Sequence, residues 1–600
     1  MATVTNETGN HHRTDWVVFG VAGAAVLAFV VWGFLDSDGL KQTTSDVLHW
    51  IITDLGWLFL ISATLFVLFA AYLALSRYGK IPLGRDGEQP EYKTVSWIAM
   101  MFSAGMGIGL MFYGAAEPIS HFVTAPPGTS SHDVAVAMAT TMFHWGFHPW
   151  AIYAVVGLAI AYSTYRCGRN QLISSVFAPI FNRTGGHGVG GRIIDILAIF
   201  ATLFGTTASL GLGAAQVGAG IKELGWVDNG SSTMLLVAII AILTLAFVAS
   251  AVSGIAKGIQ WLSNTNMVLA LVLAVFVFVV GPTVFILNLL PTTMGSYLAD
   301  FMTMSARSAA NQPEAGEWLA TWSIFYWAWW VSWTPFVGLF LAKISKGRTI
   351  REFVIGVMCV PTLVSLVWFV IFGGTAINQE QAGLGVSKAP DSESLLFGVL
   401  GNLPWTTLTT VLVVVLVGIF FVSGADSASI VMGTLSQRGT EEPSRMITVF
   451  WGVLTGGVAA LLLWASGDDA LEGIKTMAII AALPFLVVML GMCVALMMDL
   501  WHDPLIVAER ARRDDLGLRV RVHANTLAVT DDSTDVLPSE EVPVYVDGEV
   551  PEDLYLPAHT GEMVAVEVYE ADAENDAAAR KTVEASGDVR VVITKGDQKP

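Results

Sequence analysis

Gly105-Met106-Gly107-Ile108-Gly109 stands in the middle of an apolar run, 95–113. A hydrocarbon core of about 30 Å asks for about 20 apolar residues in a helix, so the run has the length of a membrane span. Glycine is poor in a helix interior and opens backbone conformations that other residues avoid. Three glycines at alternate positions do not make one packing face, as a GxxxG spacing would. The spacing therefore predicts that the helix unwinds here. Unwound backbone survives at that depth only where it lines a cavity or coordinates something. The opposing reading is close helix packing.

The rest of the chain agrees with a membrane setting. Hydrophobic residues are 54% of the 600 and charged residues 14%, against roughly a quarter charged in soluble domains. Apolar segments of spanning length lie near 16–35, 55–75, 95–113, 136–163, 193–219, 232–252, 266–289, 316–342, 352–374, 405–436, 446–466 and 475–500. The expected fold is an all-α polytopic membrane protein of twelve spans. The first segment has no small-residue cleavage site behind it and is not read as a signal peptide. The polar stretch 294–310 is read as an interfacial amphipathic helix.

Charge sets the sides. Linkers 76–94, 164–192, 253–265, 343–351 and 437–445 hold fifteen Lys and Arg, and the six opposite loops hold only Lys41, Lys222, Arg307, Lys388 and Lys475. The basic side is cytoplasmic, which places both termini there and the protein in the cell membrane. Residues 501–600 carry 22 of the 50 acids and only 10 of the 31 bases. The chain divides into a short tail 1–15, a membrane domain 16–500 and an acidic cytoplasmic tail 501–600. Alternating Val520/Val522, Val542/Val544/Val546, Val564/Val566/Val568 and Val589/Val591 leave a small β-rich domain and a disordered tail equally open. The net charge of −19 excludes nucleic acid as a partner. Cys167, Cys359 and Cys493 are too few and scattered for a disulfide framework or a metal site.

Ionisable residues inside spans are Asp54, Glu117, Asp195, Asp426, His144 and His148. No row of carboxylates, phosphate-binding loop or nucleophile–base arrangement accompanies them. An enzyme or a pump is disfavoured, and each acid is read first as structural.

Aromatic residues say more. Span eight reads Trp327-Ala328-Trp329-Trp330-Val331-Ser332-Trp333-Thr334-Pro335-Phe336, with tryptophan far from the interface it normally occupies. Pro335 removes a donor and predicts a break or kink. Span four adds Trp145, Trp150 and Tyr153 on one side of a continuous helix. Such a cluster suits a cation without N–H groups, held by ring faces at roughly 0.5–2 kcal/mol per desolvated contact. Span five carries Thr202, Thr206 and Ser209 on one face. Their hydroxyls either bond the preceding turn or offer oxygen to a hard cation such as sodium. Span ten repeats the theme with Phe420, Ser423 and Gly424. Spans three to seven and eight to twelve each open on a disrupted helix. Five spans is an odd number, so the halves are inverted, the pattern of a midplane site in a secondary transporter.

At these residues the sequence resembles the betaine/carnitine/choline transporter family, and within it the sodium-coupled glycine betaine carriers of actinobacteria. The resemblance rests on Ala104-Gly105-Met106-Gly107-Ile108-Gly109-Leu110-Met111-Phe112-Tyr113-Gly114 with Glu117-Pro118, on Met142-Phe143-His144-Trp145 with His148-Pro149-Trp150-Ala151-Ile152-Tyr153, on Gly205-Thr206 and Ser209-Leu210-Gly211-Leu212-Gly213, on the 327–336 run, and on Ala425-Asp426-Ser427-Ala428-Ser429. It covers roughly residues 15–500. It implies a five-plus-five inverted repeat of the leucine-transporter (LeuT) type, two extra N-terminal spans and a homotrimer. It further implies a cage of Trp145, Trp150, Tyr153 and Trp330, with Met106 backbone near a carboxylate between Gly105 and Gly107, and Ser209, Trp329 and Trp333 beside the path. One implied sodium site is Thr202, Thr206 and Phe336. The other is Ser103, Met106, Phe420 and Ser423 with position 424, where this chain has glycine in place of the family's hydroxyl. The sodium-independent exchangers of the family fill a sodium site with Arg. Helix 257–290 here has Lys257 and no Arg. The acidic tail departs from the basic helix of osmotically regulated members.

The function expected is sodium-coupled uptake of a quaternary-ammonium or zwitterionic compatible solute, glycine betaine first and ectoine or proline next. No cofactor is implied beyond sodium. The alternative is a sodium-independent exchanger or proton-coupled choline or carnitine carrier of the same family.

Overall fold

The computed structural model describes residues 14–509 except 106, 182–187, 254–255, 311–313, 441 and 467–469, together with five strands between 542 and 594. Packing divides the chain into Met1–Asp499 and Leu500–Pro600.

The first unit is helical. Its helices are α1 (Trp16–Leu35), α2 (Ser37–Trp50), α3 (Gly56–Leu75), α4 (Thr94–Gly105), α5 (Ile108–Val123), α6 (Val134–Trp145), α7 (Phe147–Ala161) and α8 (Val189–Glu223). There follow α9 (Thr233–Ser253), α10 (Ala256–Val280), α11 (Thr283–Ala299), α12 (Phe301–Ser305), α13 (Ala315–Leu319) and α14 (Phe325–Ile344). The last are α15 (Ile350–Gln381), α16 (Leu395–Gly401), α17 (Thr406–Ser436), α18 (Arg445–Ser466) and α19 (Ala470–Trp501). Among the described residues nine helices are long and apolar enough to cross a membrane, or ten if the bent pair α10–α11 counts as one. The pairs α4–α5 and α6–α7 fall outside that count because each is broken into short pieces.

The first break is where the glycines predict it. Helix α4 ends at Gly105, and α5 starts at Ile108 after an extended Gly107 (φ −166°, ψ −178°). The second break, at Gly146, was not expected. Gly146 leaves no room for a side chain: a Cβ would sit 2.6 Å from the Met142 carbonyl oxygen and 2.7 Å from the Tyr297 hydroxyl. That hydroxyl accepts from the Phe147 backbone N–H at 2.9 Å, satisfying a donor that a new helix leaves free. Trp145 therefore ends one helix while Trp150 and Tyr153 ride on another, and the single helical face assumed for the three is corrected.

The break expected at Pro335 is also corrected. Helix α14 runs through it. Proline leaves the carbonyl four residues back without its N–H. Thr334 Oγ1 donates to that carbonyl, on Val331, at 2.6 Å. The irregular turn lies earlier, a π-helical stretch Ala320–Ile324. Two further expectations change. The span over 266–289 ends at Val280, and the chain turns by 109° at Gly281-Pro282 into α11. The helix expected over 294–310 is instead the end of α11 and the short α12, separated at Asp300.

Helix α15 packs on α5, α6 and α7, α14 packs on α7 and α8, and α8 packs on α9, α17 and α18. The site lies where α14 and α5 meet α8 and α17.

Four of the five basic linkers share one face. Linker 343–351 pairs with 76–94 through Leu83 N–H to the Arg348 carbonyl (2.7 Å) and Gly347 N–H to the Leu83 carbonyl (2.8 Å). Glu88 accepts the Arg85 backbone N–H, which with nearby Lys346 holds its carboxyl below the usual range. Arg166 donates to the Gly84 carbonyl, and Arg169 pairs with Asp499. Asp15 takes Arg192 at 3.2 Å and Arg438 at 3.8 Å. Both ends of the helical unit, at Asp15 and Asp499, thus lie on the basic face. Lys257, the basic residue of the fifth linker, has its side chain outside the described residues.

In the second unit β1 (Val542–Val544), β2 (Asp553–Pro557), β3 (Met563–Glu570), β4 (Arg580–Ala585) and β5 (Val589–Thr594) form one sheet in the order β1-β5-β4-β3-β2. β1 runs parallel to β5, and the other pairs are antiparallel. Val520 and Val522 lie outside the described residues.

Candidate solute and cation site

Helix α14 sends Trp329, Trp330 and Trp333 towards the broken ends of α5 and α7. Together with Trp145, Trp150 and Tyr153 they wall a cavity of about 570 Å³, counted with the space at its open mouth, which Gly107, Ile108, Gly109, Ser209 and Ser365 also line. No charged residue stands among the described residues that line it. Trp145 meets Trp330 edge to face, with centroids 4.9 Å apart at 78°, and Tyr153 approaches Trp330 at 6.1 Å and 76°.

The indole N–H groups of Trp145, Trp329, Trp330 and Trp333 are already used. Trp145 donates to Glu117 (2.6 Å), Trp329 to Ser209 Oγ (3.2 Å), Trp330 to the His144 carbonyl (3.1 Å) and Trp333 to the Gly205 carbonyl (2.9 Å). What these rings offer the cavity is carbon surface with its negative quadrupole. Gly109 makes the arrangement possible: a Cβ there would lie 2.8 Å from both the Trp145 and the Trp329 ring. At the same wall α5 begins without a side-chain cap, so its first backbone N–H groups have no helical acceptor.

A second cavity of about 970 Å³ adjoins the first and shares Gly107, Ile108, Ser209, Trp333 and Val337 with it. Thr206, Phe336, Phe420, Ser423 and Gly424 line it. Thr206 Oγ1 donates to the Thr202 carbonyl (2.7 Å), Ser209 Oγ to the Gly205 carbonyl (3.4 Å) and Ser423 Oγ to the Phe420 carbonyl (3.3 Å). With those protons committed, the hydroxyls present lone pairs. Asn266, on α10, also lines this cavity. It is 1% exposed, and neither amide atom has a partner.

The structure thus gathers Trp145, Trp150, Tyr153, Trp329, Trp330, Trp333, Gly107 and Ser209 at one cavity, and Thr206, Phe336, Phe420 and Ser423 at its neighbour. Thr202 lines neither among the described residues; its hydroxyl donates to the Ala198 carbonyl at 2.8 Å. Met106 and the side chain of Ser103 lie outside the described residues, and Gly105 enters only as the end of α4. Asn266, Ser365 and Ser427 were missed, because a lone polar residue in an apolar run carries no periodic signal. His148 stacks on Trp327 and Phe301, and Asp195 accepts both the backbone N–H and the hydroxyl of Ser174. Both are structural.

Comparison with known proteins now has a geometry to attach to. The chain is 43% identical over 506 residues to the betaine/ectoine transporter LcoP of Corynebacterium glutamicum, covering 84% of this chain and 80% of that one. It is 44% identical over 488 residues to the glycine betaine transporter OpuD of Bacillus subtilis, covering 81% and 93%. It is 39% identical over 493 residues to glycine betaine transporter 1 of Vibrio parahaemolyticus, covering 80% and 93%. Residues 17–505 match the family described as "BCCT, betaine/carnitine/choline family transporter". A multi-pass helical protein with an uncharged aromatic cavity between broken helices, matched to that family over four-fifths of its length, is a transporter of the betaine/carnitine/choline family.

Proposed function

We propose that the chain is a sodium-coupled symporter taking up a quaternary-ammonium or zwitterionic compatible solute, with glycine betaine first and ectoine or proline next. The observation that carries this is the cavity walled by Trp145, Trp150, Tyr153, Trp329, Trp330 and Trp333 with no charged side chain among its described lining. A quaternary ammonium has no N–H to donate, and ring faces hold it at roughly 0.5–2 kcal/mol per contact. A zwitterion's carboxylate fits the free N–H groups at the start of α5, where the helix dipole also favours negative charge. LcoP and OpuD are named for betaine or ectoine transport, and both solutes are of this class.

Sodium fits the second cavity. Hydroxyls whose protons are committed to their own helices and the Asn266 amide place neutral oxygens on the wall of an otherwise apolar space beside the Phe336 and Phe420 rings, a donor type suited to a hard cation. The broken pairs α4–α5 and α6–α7 and the bent pair α10–α11 count as single spans in this reading, which gives twelve in all: two N-terminal spans and two inverted halves of five. Alternating access rocks α5, α6, α7, α14 and α15 against α8 and α17. The protein sits in the cell membrane as a homotrimer with its basic face, both termini and the 501–600 domain in the cytoplasm. Uptake of labelled glycine betaine in an uptake-deficient host tests the reading. Strong uptake in sodium buffer and little in potassium buffer is expected. Equal uptake in both removes sodium coupling, and counterflow without any ion gradient would favour the exchanger.

A further inference from the structure

Glu117 of α5 is 0% exposed, and four donors converge on its carboxylate. Oε1 takes His144 Nδ1 at 2.7 Å and His121 Nε2 at 3.3 Å. Oε2 takes Trp145 Nε1 at 2.6 Å and the Tyr326 hydroxyl. Among the described residues its ion-pair partners are the two imidazoles. A buried carboxylate is costly unless its oxygens are filled, and here three helices, α5, α6 and α14, supply the filling.

We infer that Glu117 is a positioning residue for the solute cavity, fixing Trp145 by its indole N–H and Trp330 through His144. The second link runs in two steps, of 2.7 Å and 3.1 Å. His144 is held at Nδ1 by Glu117 and at Nε2 by Ser323 Oγ, 2.9 Å away. With Nδ1 carrying its proton towards the carboxylate, Nε2 is left to accept from Ser323. The backbone carbonyl of the same residue receives the Trp330 N–H at 3.1 Å. Two cage rings on two different helices are therefore referred to one carboxylate that does not itself line the cavity. Donation from an indole N–H to an anion also polarises the ring and makes its face more negative, which strengthens its hold on a cation. The metal reading of Glu117, His121 and His144, whose ligating atoms lie within 4.8 Å, is disfavoured. The Glu117 oxygens and both His144 nitrogens are engaged in hydrogen bonds.

This role rests on the proposed solute, and the test separates the two. Purified protein is titrated with glycine betaine, and in parallel with ectoine, by tryptophan fluorescence. Glu117→Gln turns one acceptor into a donor that faces other donors. It is expected to raise the half-saturating concentration for glycine betaine roughly tenfold. Trp145→Phe keeps a ring and removes the N–H, and a several-fold rise is expected. If Glu117 acts through that N–H, the double variant is weakened by clearly less than the product of the two single effects. Independent, multiplying effects would mark a merely structural carboxylate and overturn the inference, as would wild-type affinity in Glu117→Gln. Should Glu117→Gln not fold, wild-type affinity in Trp145→Phe overturns it equally. Wild-type protein that answers neither solute removes the solute reading itself. A wild-type response with unshifted variants removes the positioning role alone.

Discussion

Trp330 lies with one face against Trp329, at 4.9 Å and 15°, and its neighbours Trp145 and Tyr153 stand edge-on to it. Leucine at this position keeps apolar bulk and removes the ring face. Trp330→Leu is expected to weaken a quaternary ammonium by about 0.5–2 kcal/mol, roughly two- to thirtyfold in competition binding. Gly109→Ala acts on the same rings from behind. Its Cβ would stand 2.8 Å from each of two indoles, and overpacking of that kind costs about 1–3 kcal/mol. A lowered melting temperature and weaker solute binding are expected together. Thr206 tests the cation. Its hydroxyl faces the second cavity with a lone pair free, so Thr206→Val is expected to raise the sodium concentration for half-maximal uptake several-fold while protein still reaches the membrane. If the hydroxyl serves only the Thr202 carbonyl, the sodium curve stays put. Nothing lies within 4 Å of a Cβ built on Gly424, so Gly424→Ser fits without strain and is expected to sharpen sodium dependence.

At the level of elements, Pro335 and Gly146 show what a sequence reveals of a helix and what it hides. Proline removes an N–H, which is visible in the sequence; whether the orphaned carbonyl finds another donor is not. Here Thr334 supplies one from the adjacent position. Thr334 is 0% exposed, and Thr334→Val should leave the Val331 carbonyl unsatisfied at a cost of about 1–3 kcal/mol. A lower melting temperature in detergent checks it; an unchanged one means α14 keeps its course by packing. Gly146 gave no comparable signal, because a single glycine in an apolar run is tolerated in most helices. Pro149 three residues on was a usable hint, since proline belongs in a first helical turn. The triple glycine at 105–109 was legible because glycines at spacing two do not make one packing face. The aromatic wall was legible because seven rings in two spans exceed what packing needs. Asn266 was not, since its significance is the absence of a partner, a three-dimensional fact.

Across the helical unit, four of the five basic linkers and both ends meet on one face, joined by Leu83–Arg348, Arg166–Gly84, Arg169–Asp499, Asp15–Arg192 and Asp15–Arg438 contacts. Charge counting assigns that face to the cytoplasm, and the native cysteines can test the assignment. Cys167 is exposed and lies in linker 164–192 on this face. Cys359 sits within α15 and Cys493 within α19, in segments apolar enough to be membrane-embedded. A thiolate is the reactive form, and it forms poorly away from water. A charged, membrane-impermeant maleimide applied to intact cells is therefore expected to leave the protein unlabelled. Applied to inside-out vesicles, it is expected to label one thiol, and Cys167→Ser should abolish that label. Labelling of Cys167 in intact cells would reverse the orientation and place the basic face outside, while the sodium gradient would still set the direction of transport.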